Sequence, residues 1–198
     1  MDLEILLYDG FDEVDAVAPY EVFRNAGTSG AALDTTMVTL SERDTVTASH
    51  GLTVGVQGTL GSPDALLVPG GGWGNRAERG AWGEYERGDI PEAVSAAYDS
   101  GATVLTVCTG GMLAAKSGVL NGRPATTHHV AHDDLRDSAA EFVEARVVDD
   151  GDVLTCGGVT SGLDLAFHFV RREFGDDVAD TVQAEMEYEP RGEVLVVD

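Results

Sequence analysis

A chain of 198 residues, of which 43% are hydrophobic, is long enough to bury the core of one domain. Its 35 acidic and 12 basic side chains give a formal net charge of −23, which repels phosphate backbones and anionic lipid, so we expect no nucleic-acid and no membrane partner. No apolar run approaches the roughly 20 residues of a membrane span, and the first residues lack the basic and apolar regions of a signal peptide, so we expect a cytoplasmic protein.

The acidic residues are distributed along the whole chain, and Lys116 is its single lysine. This distribution is typical of a halophilic protein, whose surface charges are screened by the salt of its cytoplasm. An ordinary acidic protein is the alternative interpretation. The two cysteines, Cys108 and Cys156, are too few for a disulfide framework, and a cytoplasm would keep both reduced.

Apolar runs and amphipathic patterns alternate along the chain. The apolar runs predict buried strands over residues 3–8, 37–40, 52–56, 65–68, 103–107 and 153–155. Helical spacing predicts helices from the N-cap Asp12 to the C-cap Gly27, over 91–99, after Gly111 and over 163–174. Strands that alternate with helices predict an α/β fold with a doubly wound, mostly parallel sheet flanked by helices. Ligands bind beyond the carboxyl ends of the strands in such folds.

Cys108 follows a predicted strand and precedes Thr109, Gly110 and Gly111, which turn the chain into a helix. A nucleophile on such a tight turn needs small neighbours so that the backbones can approach, as in the serine elbow of hydrolases. The N–H groups and the dipole of the helix start would lower the pKa of the thiol and favour the thiolate. A buried, inert cysteine at a strand end is the alternative interpretation.

Two further features fall at the same edge of the predicted sheet. Pro69 is followed by Gly70, Gly71 and Gly72, whose unobstructed N–H groups could stabilise an anion that develops on a substrate. A loop that needs positive φ is the alternative. Asp15 lies in the first turns of the first predicted helix within an apolar stretch, where a carboxyl group is costly unless it is paired or protonated.

These segments resemble the ThiJ/PfpI superfamily, and within it the isonitrile hydratase branch. The resemblance is carried by residues 8–11, 14–22, 68–71, 106–110, 120–128, 157–166 and 187–190. It implies a single domain over residues 1–198 with the flavodoxin-like fold of class I glutamine amidotransferases and a nucleophile elbow at Cys108. It also implies a small-molecule substrate, a homodimer and no cofactor.

Carried over residue by residue, the resemblance makes Cys108 the nucleophile and Asp15 the acid that faces it. Gly70, Gly71, Thr109 and Gly110 then supply the anion-stabilising and substrate-binding backbone. The protease-like branch has a histidine where this chain has Thr109, so we do not expect peptide hydrolysis.

The resemblance implies a mechanism in which the Cys108 thiolate attacks the terminal carbon of an isonitrile. Asp15, whose pKa burial and the thiolate would raise, protonates the resulting centre. Water then adds to the thioimidate, and an N-substituted formamide leaves. Two alternatives stay open: glyoxalase or deglycase chemistry on methylglyoxal, whose branch usually carries Glu at the Asp15 position, and a ligand or oxidation sensor without catalysis.

Four other features of the sequence concern the surroundings of the predicted site. The histidine-rich stretch 128–132 lacks a Glu-x-x-His signature, so no metal site is predicted there, while His128 matches a family position close to the site. Asp164 lies inside an apolar helix and is expected to bond backbone near the site as a second-shell group. Trp73 could form a wall of the pocket or pack at a subunit contact. Cys156 is expected in the core.

Overall fold

The strands build one large sheet and two short ribbons, in a computed structural model that describes residues 1–197. In chain order they are β1 (Asp2–Leu6), β2 (Asp34–Thr39), β3 (Thr45–Thr47), β4 (Thr53–Gly55), β5 (Gly58–Thr59), β6 (Ala65–Val68), β7 (Thr103–Thr106), β8 (Pro124–Ala125), β9 (Glu141–Phe142), β10 (Val147–Asp149), β11 (Val153–Cys156) and β12 (Val194–Val196). The large sheet has eight strands in the order β12-β10-β11-β7-β6-β1-β2-β5. The ribbons are β3–β4 and β8–β9.

Most neighbouring strands of the large sheet run parallel. β1 pairs in parallel with both β2 and β6, and β7 pairs in parallel with both β6 and β11. The exception is β10, which is antiparallel to β11 and parallel to the edge strand β12. The predicted mostly parallel sheet is therefore confirmed.

Two groups of helices flank this sheet. In chain order the α-helices are α1 (Glu13–Thr28), α2 (Ala81–Arg87), α3 (Asp89–Asp99), α4 (Gly110–Ser117), α5 (His132–Arg136), α6 (Ser161–Phe174) and α7 (Asp176–Glu185). One group is formed by α1, α6 and α7, the other by α2, α3 and α4. In the first group Phe23 and Phe169 meet edge to face with ring centroids 6.0 Å apart. Every residue of β6 is buried, as expected for a central strand of a covered parallel sheet.

The sequence located the central elements well and the peripheral ones less well. Asp12 caps α1 as predicted, its side chain accepting a bond from the Val14 N–H at 3.2 Å. The predicted C-cap at Gly27 is wrong, because α1 continues through Gly27 and ends at the cap Ser29. A Cβ at Gly27 would lie 2.7 Å from the Leu33 carbonyl oxygen, so glycine is there for close packing. The elements α2, α7, β10 and β12 were not predicted, because they are short or lack a clear apolar period.

The carboxyl ends of β1, β6 and β7 meet at the centre of one sheet edge. After β1 the chain crosses to β2 on one side, whereas β6 and β7 lie on the other side of β1. This arrangement makes the gap between β1 and β6 the topological switch point, where ligands bind in open α/β sheets. The turns after β1, β6 and β7 therefore bring residues 9–15, 69–72 and 108–110 together.

None of the helices within residues 1–197 has the length and apolarity needed to traverse a bilayer.

Candidate active site

Cys108 lies on the sharp turn between β7 and α4 with a backbone φ of +58°. Non-glycine residues adopt this left-handed region rarely, and the surroundings hold it here. The Cys108 N–H donates to the Gly157 carbonyl at 3.0 Å, and the Thr127 hydroxyl donates to the Cys108 carbonyl at 2.7 Å. The turn also needs glycine at position 110, because a Cβ there would lie 2.1 Å from the Val68 carbonyl oxygen. The predicted nucleophile elbow is thus present in the backbone.

The Cys108 side chain is 6% exposed and lies at the floor of a pocket of about 350 Å³. The walls combine apolar and polar groups from several separate parts of the chain, chiefly Asp12, His50, Trp73, His128, Val130 and Val159. The sulfur is therefore shielded from bulk water but accessible to a small molecule, which distinguishes it from Cys156, whose side chain is fully buried in β11.

Asp15, in the first turn of α1, is fully buried beside this sulfur. One carboxyl oxygen, Oδ2, accepts the Gly70 N–H at 3.0 Å. The other, Oδ1, has no protein partner within hydrogen-bond geometry, and the carboxyl group faces the Cys108 thiol and the Val159 N–H. Burial raises the pKa of Asp15 to about 7, and the nearby charge of Asp12 adds to this effect. Asp15 therefore exchanges protons near neutrality.

The expectation that the helix start would lower the pKa of Cys108 is wrong for this structure. Burial and then the Asp15 carboxylate raise the pKa of the thiol, and the N–H groups of Thr109 and Val159 offset this only in part. Helix α4 is only eight residues long, and its dipole acts in competition with a carboxylate beside the sulfur. The raised pKa means that the thiol keeps its proton at rest.

The four predicted anion-stabilising residues lie around Cys108, but their N–H groups already have acceptors. The Gly70 N–H bonds Asp15, the Gly71 N–H bonds the Thr109 hydroxyl at 2.9 Å, and the Gly110 N–H bonds the Val107 carbonyl. The Thr109 N–H faces the sulfur. Thr109 lines the pocket, and its hydroxyl accepts the Gly71 N–H, so the hydroxyl proton remains available to donate.

Val159 is a residue of the site that sequence reasoning missed. Its N–H faces both the Cys108 sulfur and the Asp15 carboxyl, and its φ is +48°. A β-branched residue in the left-handed region is unusual and indicates a backbone held in place by its surroundings. A valine within the glycine-rich turn after β11 was the available signal in the sequence. Tyr8 was also missed, and its hydroxyl donates to the Pro69 carbonyl at 2.5 Å and so ties β1 to the glycine turn.

His50, which sequence reasoning did not single out, also lines the pocket. His50 Nδ1 lies 2.7 Å from Glu13 Oε2, and the His50 N–H donates to Glu13 Oε1 at 2.7 Å. The Ser49 hydroxyl lies 3.0 Å from the same ring nitrogen. Asp12, Glu13 and His50 also form a group in which ligand atoms lie within 4.8 Å of one another. The sequence shows only a histidine in the turn before β4, and a single histidine does not by itself indicate a place in the pocket.

His128 is placed in the pocket wall, as the resemblance implied. Its Nδ1 accepts the Val130 N–H at 3.2 Å, and burial followed by the neighbouring histidines lowers its pKa. The ring is therefore neutral and carries its proton on Nε2. His132 Nε2 bonds the Thr127 carbonyl at 3.1 Å. His128 and His132 thus each bond backbone through one ring nitrogen, and the absence of a metal site in this stretch stays a prediction.

The structure places Trp73 in the pocket wall and Asp164 outside the pocket lining. Trp73 forms a pocket wall and is 3% exposed, with its indole N–H bonded to Asp134 at 2.6 Å. Asp164 does not line the pocket, and its expected place behind the lining residues stays a prediction. Its carboxylate bonds Arg146 at 2.6 Å and the Arg191 N–H at 2.6 Å, so its buried charge is used to hold the segment after α7. An acidic residue among apolar residues of a predicted helix gives the same pattern whether it supports the site or anchors another segment.

Comparison with known proteins identifies the family of this site. A model described as the DJ-1/PfpI family matches residues 2–172. The chain belongs to the DJ-1/PfpI family. Over 196 residues it is 34% identical to an isonitrile hydratase of Pseudomonas putida, a match that covers 96% of this chain and 79% of the relative. Over 159 residues it is 30% identical to a deglycase of Pyrococcus horikoshii, covering 76% of this chain and 86% of the relative.

A solved structure agrees with this assignment. A ThiJ/PfpI family protein from Pseudomonas syringae superimposes with a TM-score of 0.83 at 28% identity, over 96% of this chain and 76% of that chain. The resemblance drawn from the sequence is therefore confirmed at the level of the DJ-1/PfpI family, which includes enzymes such as the hydratase and the deglycase.

Proposed function

We propose that this DJ-1/PfpI protein is a cofactor-free cysteine hydratase that converts isonitriles into N-substituted formamides. The observation that carries the proposal is the Asp15 carboxyl group, fully buried and facing the Cys108 thiol with one oxygen unpartnered. A terminal isonitrile carbon needs both a nucleophile and a proton at the same atom, and this pair supplies both. The 34% identity to an isonitrile hydratase supports the same choice.

The first half-reaction uses only these two groups. The thiol proton passes to Asp15, a new bond forms between the Cys108 sulfur and the isonitrile carbon, and Asp15 returns the proton to that carbon. The product is a thioimidate with an N=CH–S linkage, and Asp15 is ionised again. A carboxyl group whose pKa is about 7 can both accept and return a proton near neutrality, which is what this sequence of transfers requires.

The second half-reaction adds water to the thioimidate. Oxygen bonds to the carbon, one proton reaches the nitrogen, and the tetrahedral adduct loses its C–S bond. The hydroxyl proton passes through Asp15 to the leaving sulfur, so the thiol is restored and the formamide leaves. Thr109 lines the pocket, and its hydroxyl, which accepts the Gly71 N–H, donates a hydrogen bond to the charge that develops on the substrate.

The test compares a para-substituted phenyl isonitrile with methylglyoxal as substrates for the purified protein in molar KCl. We expect formamide release by the wild type and loss of at least about a hundredfold in Cys108→Ser and in Asp15→Asn, which is the usual scale for a missing acid–base group. Near-normal isonitrile turnover by both variants would refute the scheme.

Deglycase or glyoxalase chemistry is the second candidate. It is supported by the 30% identity to a deglycase. In this chemistry the Cys108 thiolate would attack a carbonyl carbon instead of an isonitrile carbon. Methylglyoxal turnover that depends on Cys108, without isonitrile turnover, would favour it. A purely sensing role would leave both substrates unchanged while Cys108 still became oxidised or alkylated.

Two expectations from the sequence belong to the proposal, the homodimer and the cytoplasmic location. Val14 and Leu52 are large apolar side chains with 39% and 49% exposure, and a subunit contact would cover them. Sedimentation in molar KCl would measure the mass, and fractionation of the producing cells would measure the location.

A further inference from the structure

The structure holds a carboxylate–histidine pair at the edge of the Cys108 pocket. Both oxygens of Glu13 bond His50, one through the backbone N–H and one through the ring Nδ1, each at 2.7 Å. The Glu13 side chain is 14% exposed and the His50 side chain 77%, so a largely buried carboxylate orients an accessible ring. A ring whose Nδ1–H is held by a carboxylate has its Nε2 free to accept a proton.

In the scheme above, Asp15 handles the hydroxyl proton and the sulfur, and no group is assigned to take a proton from the attacking water. Asp15 faces the sulfur and completes the proton transfers of the thiol, and the residue after Cys108 is Thr109 rather than a histidine. His128 also lines the pocket, but its Nδ1 accepts the Val130 N–H, so in the neutral ring Nε2 carries the proton. His128 can therefore donate a hydrogen bond but has no lone pair available for a water proton.

We propose that His50, oriented by Glu13, is the general base that activates water for attack on the thioimidate. This inference rests on the proposed isonitrile hydration. His50 and Cys108 line the same pocket, and the exposed ring has direct access to water. The arrangement follows the logic of an acid–histidine pair, in which the carboxylate fixes the ring and stabilises the imidazolium.

The proton balance is simple. As the water oxygen bonds to the thioimidate carbon, one water proton moves to His50 Nε2 and the C=N electron pair moves to nitrogen. The imidazolium then gives that proton to the nitrogen, which leaves neutral His50 and a tetrahedral N–H, O–H adduct. Collapse of the adduct breaks the C–S bond, as described above, and needs no oxidant or further reactant.

The charges around His50 set the direction of its pH dependence. The Glu13 carboxylate, through its hydrogen bond and its charge, and then the Asp12 carboxylate raise the pKa of His50. Both acids lie at the start of α1, and Ser49 contributes an uncharged hydroxyl. A base must be unprotonated, so the water step should speed up as pH rises through the His50 pKa, and Glu13→Gln should move this rise to lower pH.

The experiment measures turnover and the trapped intermediate together, with a para-substituted phenyl isonitrile in molar KCl. We expect His50→Gln to form the thioimidate at the wild-type rate but to hydrolyse it about a hundredfold more slowly. Intact-mass spectrometry after rapid quenching would then show protein carrying one added isonitrile. His129→Gln is the matched control, because His129 is exposed and lies outside the pocket lining.

The outcomes separate the two proposals. Wild-type protein that forms neither formamide nor adduct refutes the proposed function itself. Wild-type turnover with a His50→Gln variant that stays within threefold of it, and accumulates no adduct, refutes only the role of His50. If His50→Gln does not fold, the pH dependence of thioimidate hydrolysis in Glu13→Gln decides. An acidic limb of that step that is not shifted from the wild-type position overturns the inference.

Discussion

The Asp15 carboxyl group and the Cys108 thiol face each other across the start of α1 and the turn after β7, with the Val159 N–H directed at both. Burial is the largest cause that raises the pKa of each group, and the Asp15 carboxylate raises that of the thiol further. Ionisation of the sulfur therefore depends on its burial and on the charge of Asp15. This dependence can be measured without knowledge of the substrate.

Replacing Asp15 by Asn should make Cys108 more reactive toward a general alkylating reagent. The substitution removes the negative charge that raises the thiol pKa, so the thiolate fraction at pH 8 increases. We expect iodoacetamide to react about three- to tenfold faster, because the gain in thiolate exceeds its loss of nucleophilicity. The rate is measured by intact mass, with Cys108→Ser as the control for Cys156. A slower reaction in Asp15→Asn would contradict this account.

The same variant should change how stability depends on pH. The folded-state pKa of Asp15, about 7, lies above the unfolded value, so its contribution to stability is fully present below pH ~4 and is lost as pH rises to ~7. Asp15→Asn abolishes this loss. We expect the free energy of unfolding of the variant, relative to wild type, to rise between pH 4 and 7 by on the order of 1–4 kcal/mol. Denaturant titrations at fixed salt measure it, and a constant difference across this range would exclude a raised pKa.

Thr109→Val should destabilise the protein, whereas Thr109→Ser should not. The hydroxyl is the acceptor for the buried Gly71 N–H at 2.9 Å, and valine leaves that donor without a partner. An unsatisfied buried donor costs about 1–3 kcal/mol, while serine retains the acceptor. Thermal unfolding of the two variants measures the difference. Equal midpoints would show that the glycine turn can find another acceptor.

Gly158→Ala should displace His128 from the pocket wall. A Cβ at position 158 would lie 2.0 Å from His128 Cδ2, so the ring has to move. We expect at least about a tenfold loss of kcat/KM, since the pocket that orients the substrate changes shape. Gly157→Ala is the matched control, because its Cβ would come no closer than 3.3 Å to the Ser161 hydroxyl and 3.8 Å to the Arg146 carbonyl oxygen. Equal activities in the two variants would argue against a role for the His128 position.

The net charge of −23 predicts stability that depends on salt. Screening lengths shorten from about 10 Å at 0.1 M to about 3 Å at 1 M salt, which weakens repulsion between surface carboxylates. We therefore expect Tm to rise steadily as KCl increases from 0.1 M into the molar range. Differential scanning calorimetry measures this dependence. A Tm that stops rising by about 0.3 M would favour the ordinary acidic protein over the halophilic one.

Much of the fold could be predicted from patterns of neighbouring residues in the sequence. The sequence predicted the strand before Cys108, the small residues beside it and the helix that follows. Strand burial, glycine spacing and helix periodicity depend on residues that are adjacent in the chain. The central parallel sheet followed from strand–helix alternation. The short strand β3 and the antiparallel β10 were missed, because their pairing depends on partners elsewhere in the chain.

The sequence by itself determined that Cys108 would stand on a turn at the carboxyl edge of an α/β sheet, near Asp15. Only the tertiary structure decided that the thiol is protonated at rest, that the predicted glycine N–H groups already have acceptors, and that His50 reaches the pocket. The physical reason is that pKa values and hydrogen-bond occupancy depend on burial and on charges from distant segments. Those quantities exist only once α1, the glycine turn, the turn after β7 and the loop before β4 have come together.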